Sequence, residues 1–229
     1  MTMITNVVFD LDDTLYDEVE YCRSGFEAVA EFLADLPDAQ PAERIFRAFW
    51  KQLTAGNRTK TFNTALDELN IGYDDELIGK LIKVYRNHVP RITLPHDSRE
   101  LLSRLSCKYT LALLTDGFLP AQQLKVQTLG IEKYFKCIIY TEQLGREFWK
   151  PSLAGFEKLM QTLNANPENI AYVADNEKKD FIAPNKLGFL TVRIIRPAGL
   201  HSESSQKPGA AAQYTIRQFI QLPTLLEKL

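Results

Sequence analysis

The chain has 229 residues, 45% of them hydrophobic and 24% charged, with 27 lysines and arginines, 29 aspartates and glutamates and a formal net charge of −2. That length suits one large domain or a core domain with a small insert, and the composition is that of an ordinary globular protein. No block of five or six basic residues stands ready to neutralise a nucleic-acid backbone, no stretch approaches 18 apolar residues, and the first residues lack the pattern of a signal peptide, so nucleic acid, membrane span and secretion are all unexpected.

Taken in order, Val7-Val8-Phe9 is a run of β-formers too short for a helix, which predicts a buried parallel strand, and it breaks into Asp10-Leu11-Asp12-Asp13-Thr14-Leu15. The pattern then becomes helical. Cys22, Phe26, Val29, Leu33 and Leu36 follow the spacing of one helix face and end at Pro37. Ile45 to Leu53, Phe62 to Leu69 and Leu77 to Tyr85 mark three more helices, with Pro90 soon after. Four helices without an intervening strand break the alternation of a doubly wound sheet, so residues 17–92 read as an inserted helical domain, and residues 1–16 and 93–229 as the core.

Alternation resumes beyond the insert. Pro95 opens a helix through Leu105, Tyr109 to Leu114 is a second strand, a helix runs through Leu124 and Val126 to Gly130, and Cys137 to Tyr140 is a third strand. A helix from Leu153 to Leu163, a strand Ile170 to Ala174, a short helix to Gly188 and a strand Leu190 to Ile195 complete a parallel sheet of five strands, flanked by helices on both faces. Residues 197–213, rich in Ser, Gly, Pro and Ala, predict an exposed loop, and Ile216 to Leu229 a last helix that Pro223 interrupts. Cys22, Cys107 and Cys137, odd in number and widely spaced, read as buried free thiols in a reducing compartment, with the cytoplasm the default. His88, His96 and His201 lack the short spacing of a zinc site.

Three strands end in acids or hydroxyls. Asp10 and Asp12 close the first, Thr115-Asp116-Gly117 the second, and Asp175-Asn176 the fourth. Parallel strands bring these ends to one edge of the sheet, where open α/β folds bind ligands. Three acids within four residues at residues 10–13 need positive charge nearby, and a divalent cation is the natural source. Each feature has a plainer alternative. Asp13 or Thr14 suits a helix N-cap, Thr-Asp-Gly an ordinary turn, Lys150 a solvated lysine, and Asp180 the first turn of a helix.

The segment Phe9-Asp10-Leu11-Asp12-Asp13-Thr14-Leu15 resembles motif I, Asp-x-Asp-x-Thr, of the haloacid dehalogenase (HAD) superfamily. Thr115 resembles its motif II, Lys150-Pro151 its motif III, and Asp175-Asn176 with Asp180 its motif IV. Gly145-Arg-Glu-Phe-Trp149 alters the usual spacing before Lys150, so Arg146 is a competing cation, and Ala174 stands where the family often has Gly. The resemblance implies a Rossmann-like core with a helical C1 cap, an Mg2+ cofactor, and metal ligation by Asp10, Asp175 and the backbone carbonyl of Asp12. It implies phosphate binding by Thr115, Asp116, Gly117 and Lys150, with Asn176 and Asp180 in support.

The family's dehalogenases have no acid at the position of Asp12, whereas its phosphatases and phosphomutases do. The expected activity is therefore hydrolysis of a small phosphate ester, of the sugar phosphate or nucleotide class, with Asp10 as nucleophile, Asp12 as proton donor and an aspartyl-phosphate intermediate. A phosphomutase and a non-catalytic metabolite- or protein-binding module are the alternatives. Tyr21, Arg23, Arg58 and Lys60 are candidates for reading the leaving group. A monomer or a homodimer is compatible with the sequence.

Overall fold

The structure is a computed structural model that describes residues 3–37, 39–200 and 203–228. His201 and Leu229 lie outside them. The chain divides into two compact units, one of residues 1–19 with 93–229 and one of residues 20–92.

The larger unit is built on β1 (Asn6–Phe9), β2 (Thr110–Thr115), β3 (Cys137–Tyr140), β4 (Ile170–Ala174), β5 (Leu190–Ile194) and β6 (Tyr214–Ile216). These form one parallel sheet in the order β3-β2-β1-β4-β5-β6. β1 is central, with Val8 in register with Ala112 on one side and Tyr172 on the other. All four of its residues are buried, as an apolar run covered on both faces requires. Successive side chains alternate between faces. Val8 therefore joins Ala112, Leu114, Tyr172 and Phe156 in a core under α7 (Ala154–Leu163) and α8 (Ile182–Leu187). Phe9 points the other way and meets Phe219 edge-on at 6.4 Å. The strand order reverses beside β1, and this places the crevice of the sheet at the carboxyl ends of β1 and β4.

Two expectations fail at the carboxyl-terminal end. The sheet has six strands, because Tyr214-Thr215-Ile216 pairs in parallel with β5, Val192 opposite Tyr214. The last helix, α9 (Gln221–Glu227), starts five residues later than Ile216. Three residues are too few to show a period, and edge pairing depends on β5 being there. Pro223 does not break α9, because it sits in the first turn, where its missing N–H has no intrahelical partner to lose. The cysteines also differ from expectation. All three are free, but only Cys22 is buried; Cys107 is exposed at the end of α5 (His96–Ser106) and Cys137 is half-buried on the edge strand β3.

The smaller unit contains most of α1 (Glu18–Ala34), together with α2 (Ala42–Thr54), α3 (Thr61–Leu69) and α4 (Asp75–Asn87). Its centre is aromatic. Phe26, Phe49, Phe62 and Tyr85 contact one another at centroid distances of 5.2–6.1 Å. Gly25 makes room for this cluster, since a Cβ there would lie 2.5 Å from Tyr85 Cε2. Of the four residues named for leaving-group recognition, Tyr21 is buried with its hydroxyl donating to the Tyr85 carbonyl, and Arg23 lies over the Trp50 ring at 4.5 Å. Arg58 and Lys60 are exposed.

Candidate active site

At the carboxyl end of β1 the chain turns sharply, with Asp13 at φ 52°. Asp13 Oδ1 accepts from the Glu18 N–H at 2.9 Å and Oδ2 from the Leu200 N–H at 2.6 Å, so Asp13 caps α1 and ties down a distant loop. Burial, partly offset by those two bonds, raises its carboxyl to about 6.

Asp10 lies inside the crevice. The Lys150 ammonium reaches its Oδ1 at 2.7 Å and Asp180 Oδ1 at the same distance, and it also donates to the Tyr172 hydroxyl at 3.1 Å. Lys150 is thus no solvated lysine: its side chain is 1% exposed. Burial works against its charge, but Asp10 and Asp180 outweigh burial and hold it well above the ordinary lysine value. Asp180 takes a further bond on Oδ2 from the Asn176 N–H at 3.1 Å. Burial would raise its carboxyl, yet Lys150 and Lys179 leave it below the usual range.

The balance differs for the other acids. Burial is the chief cause that lifts Asp10 to about 6, with Asp180 adding to it and Lys150 opposing. Asp175 is lifted to about 10, first by burial and then by the charges of Asp180, Asp10 and Asp13. Asp175 Oδ2 is buried and has no hydrogen-bond partner among the described residues. Asp10, Asp175 and Asp180 can each bring a carboxylate oxygen within 4.8 Å of the others. Two of these acids share one lysine, while Asp175 has an unsatisfied oxygen. A hard divalent cation with oxygen ligands answers that deficit, so the donor set fits Mg2+.

Asp12 has other partners. Its Oδ1 takes Lys125 Nζ at 2.7 Å and the Tyr16 hydroxyl at 2.5 Å, and its Oδ2 takes Gln122 Nε2 at 2.8 Å. Burial raises its carboxyl, but the Lys125 charge and these three bonds outweigh burial and bring it below the usual range. With both oxygens engaged, its carboxylate stands outside the Asp10, Asp175 and Asp180 group.

Around the end of β2, Thr115 is buried and its hydroxyl accepts from Gln122 Nε2 at 2.7 Å. The Asp116 carboxylate takes the Thr141 hydroxyl at 2.7 Å and the Lys150 backbone N–H at 3.1 Å, which fixes the start of the segment that delivers Lys150. Gly117 has φ 138°, and a Cβ there would lie 2.8 Å from Gln122 Cδ. Its small size therefore admits Gln122, a purpose that a reading in terms of phosphate approach does not anticipate. Arg146, the competing cation, is exposed, pairs with Glu142 at 3.2 Å and lies over the Phe118 ring. Arg193, buried on β5, donates to the Asp175 carbonyl at 2.9 Å and pairs with Glu177, bracing the end of β4.

Gln122 and Lys125 on α6 (Ala121–Leu129), with Tyr16, Thr141, Tyr172 and Arg193, are the participants that sequence reasoning missed. Gln122 and Lys125 stand three apart, on one helix face. Nothing in that spacing separates a buried lysine from a solvated one.

The haloacid dehalogenase-like hydrolase family matches residues 4–188. The chain belongs to that family. Among its curated relatives, glyceraldehyde 3-phosphate phosphatase of Methanocaldococcus jannaschii is 27% identical over 99% of both chains. N-acylneuraminate-9-phosphatase of Rattus norvegicus is 25% identical over 100% of this chain and 96% of its own. In fold, this HAD-like hydrolase is similar to the solved 2-haloacid dehalogenase of Pseudomonas syringae, with a TM-score of 0.68 over 99% of both chains at 22% identity.

Proposed function

We propose that this HAD-like hydrolase is an Mg2+-dependent phosphate monoester hydrolase acting on a small phosphorylated metabolite, of the sugar phosphate or nucleotide class. The observation that carries this reading is the separation of two aspartates two residues apart. Asp10 faces Lys150 and the acidic group with an unsatisfied Asp175 oxygen; Asp12 faces its own lysine, tyrosine and amide. A nucleophile and a proton-transfer group need such different surroundings. Carbon–halogen cleavage has no use for the second, because a halide leaves without a proton. The phosphatase names of two full-length relatives support the same choice.

Asp10, Asp175 and the Asp12 backbone carbonyl would hold Mg2+, with Asp180 and Asn176 in support. Bound there, the ion would supply positive charge for the phosphate oxygens and for the acids around them. Asp10 attacks phosphorus and forms the aspartyl phosphate. Lys150, kept charged by Asp10 and Asp180, stabilises the transferring group, and the Thr115 hydroxyl with the backbone N–H groups of Asp116 and Gly117 binds its oxygens. Asp12, ionised beside Lys125 in the free site and protonated in the substrate complex, where the bound phosphate and the neighbouring acids are anionic, gives its proton to the leaving oxygen, then takes one from the water that attacks the intermediate. Residues 20–92 would form the cap and read the leaving group, which is a role for Tyr21, Arg23, Arg58 or Lys60.

Purified protein incubated with Mg2+ should release phosphate from members of a panel of sugar phosphates and nucleotides, and release no halide from 2-chloropropionate. Halide release, or phosphate release that survives EDTA, would overturn the assignment.

The acids also set a pH dependence. In the metal-free protein Asp10 and Asp13 sit at about 6, Glu18 at about 7 and Asp175 at about 10, all above their unfolded values. The native state then holds more protons than the unfolded one as pH rises from about 4, so this contribution to stability is lost across that window. Mg2+ offsets the share that belongs to Asp10 and Asp175, the proposed ligands, since it binds their ionised forms. The rise in Tm that Mg2+ produces should be larger at pH 8 than at pH 5.5, as measured by thermal melts with Mg2+ or EDTA. An equal or smaller rise at pH 8 would show that these acids are not the ligands.

A further inference from the structure

Lys125 is buried on α6, and its ammonium lies 2.7 Å from Asp12 Oδ1. Burying an ammonium is costly, and an apolar side chain of similar size would fill the same space without that cost. The position therefore calls for a reason beyond packing. Tyr16 meets the same Oδ1 at 2.5 Å and Gln122 meets Oδ2 at 2.8 Å, so the Asp12 carboxylate is held at both oxygens and cannot rotate about its own axis. Gln122 also reaches the Thr115 hydroxyl and the Asp116 carbonyl, each at 2.7 Å, and Gly117 leaves room for it. One helix thus links the proton-transfer acid to the strand end proposed to bind phosphate.

Orientation matters twice in each turnover. Asp12 must face the ester oxygen while the Asp10–phosphorus bond forms and the phosphorus–ester oxygen bond breaks, with the Asp12 proton going to that oxygen. It must then face the water that enters in the same direction. The water oxygen bonds to phosphorus, the Asp10–phosphorus bond breaks, and the water proton goes to Asp12, which regains the protonated form it had in the substrate complex. We infer that Lys125 is a positioning residue for both proton transfers, acting through Asp12. This inference rests on the phosphate hydrolase reading above.

The test uses the full chain with Mg2+ and two esters that differ in their need for a proton. One is p-nitrophenyl phosphate, whose phenolate leaves readily; the other is the alkyl phosphate that the wild type turns over fastest. In Lys125→Met both rates should fall, and the alkyl-to-aryl ratio of kcat/KM should drop by at least about tenfold, because proton donation is worth about 10²–10⁴-fold where the leaving group needs it. Lys125→Arg should recover much of that ratio. The inhibition constant for inorganic phosphate should stay within about threefold of wild type, since the Asp10 side of the site is untouched. If Lys125→Met does not fold, Lys125→Gln, whose polar amide suits the site but falls one bond short of Asp12, replaces it with the same expectation. An unchanged ratio, whether both rates fall together or neither falls, overturns the role of Lys125 and leaves the hydrolase reading standing. A wild type that cleaves neither ester overturns the hydrolase reading, and the inference with it.

Discussion

Asp10→Asn should lower turnover of every phosphate ester by at least about a thousandfold, because the variant lacks the proposed nucleophile while the rest of the site remains. The substitution is close to isosteric, and the amide oxygen still accepts from Lys150, which lies 2.7 Å from Asp10 Oδ1. The loss of activity should therefore not come with loss of the fold. The wild-type carboxyl, raised to about 6 by burial and by the neighbouring Asp180, is ionised at pH 8 at the expense of stability. Removing that charge should leave the metal-free Tm at pH 8 equal to or above wild type, the usual exchange of stability against activity at a site built for chemistry. The rise in Tm with Mg2+ should shrink, since one ligand charge is gone. Kinetics and paired thermal melts check both halves. Appreciable turnover by Asp10→Asn would exclude the aspartyl-phosphate route.

Lys150→Met should have the largest effect on stability. It leaves Asp10 and Asp180 facing each other, with side-chain exposures of 3% and 0%, after the removal of an ammonium 2.7 Å from each. Breaking a buried ion pair by deleting one partner costs about 3–5 kcal/mol. For a chain of this length that corresponds to a fall in Tm of roughly 6–20 °C. The two carboxyls can escape part of the cost by taking up a proton, so the fall should be greater at pH 8 than at pH 5. A second change, Asp180→Asn, should return part of the lost stability, because it removes one of the stranded charges. Activity should not return with it, as the ammonium proposed to stabilise the transferring phosphate is still missing. Arg146 cannot replace Lys150, being exposed and already paired with Glu142. A Tm within about 2 °C of wild type would mean that the three groups do not form the buried unit described here.

Much of this protein is legible in its sequence, and for a consistent reason. The strands of a parallel sheet covered on both faces are apolar runs, and helices carry a period, so β1 to β5 and the helices α1 to α8 can be read from local pattern. The motif aspartates stand out for the same reason, as acids that abruptly end apolar strands. Asp10, Asp12, Thr115 and Asp175 could thus be named without coordinates, and parallel strands oblige their ends to meet at one edge.

What local pattern does not carry is which partner each charge will find. β6 is three residues whose strand character comes from pairing with β5. Lys150 and Lys125 are both lysines beside apolar residues, and in sequence they look alike and look solvated. The fold sends one to Asp10 and Asp180 and the other to Asp12. Those pairings span more than a hundred residues, and a residue's own neighbours in the chain hold no record of them. Composition and periodicity decided the sheet, its strand-end acids and the run of four helices; tertiary packing alone decided which acids share Lys150, which one meets Lys125, and which has a buried oxygen without a partner among the described residues. The physical reason is that burial makes each charge depend on the few groups within bonding distance, and only the folded chain brings those groups there.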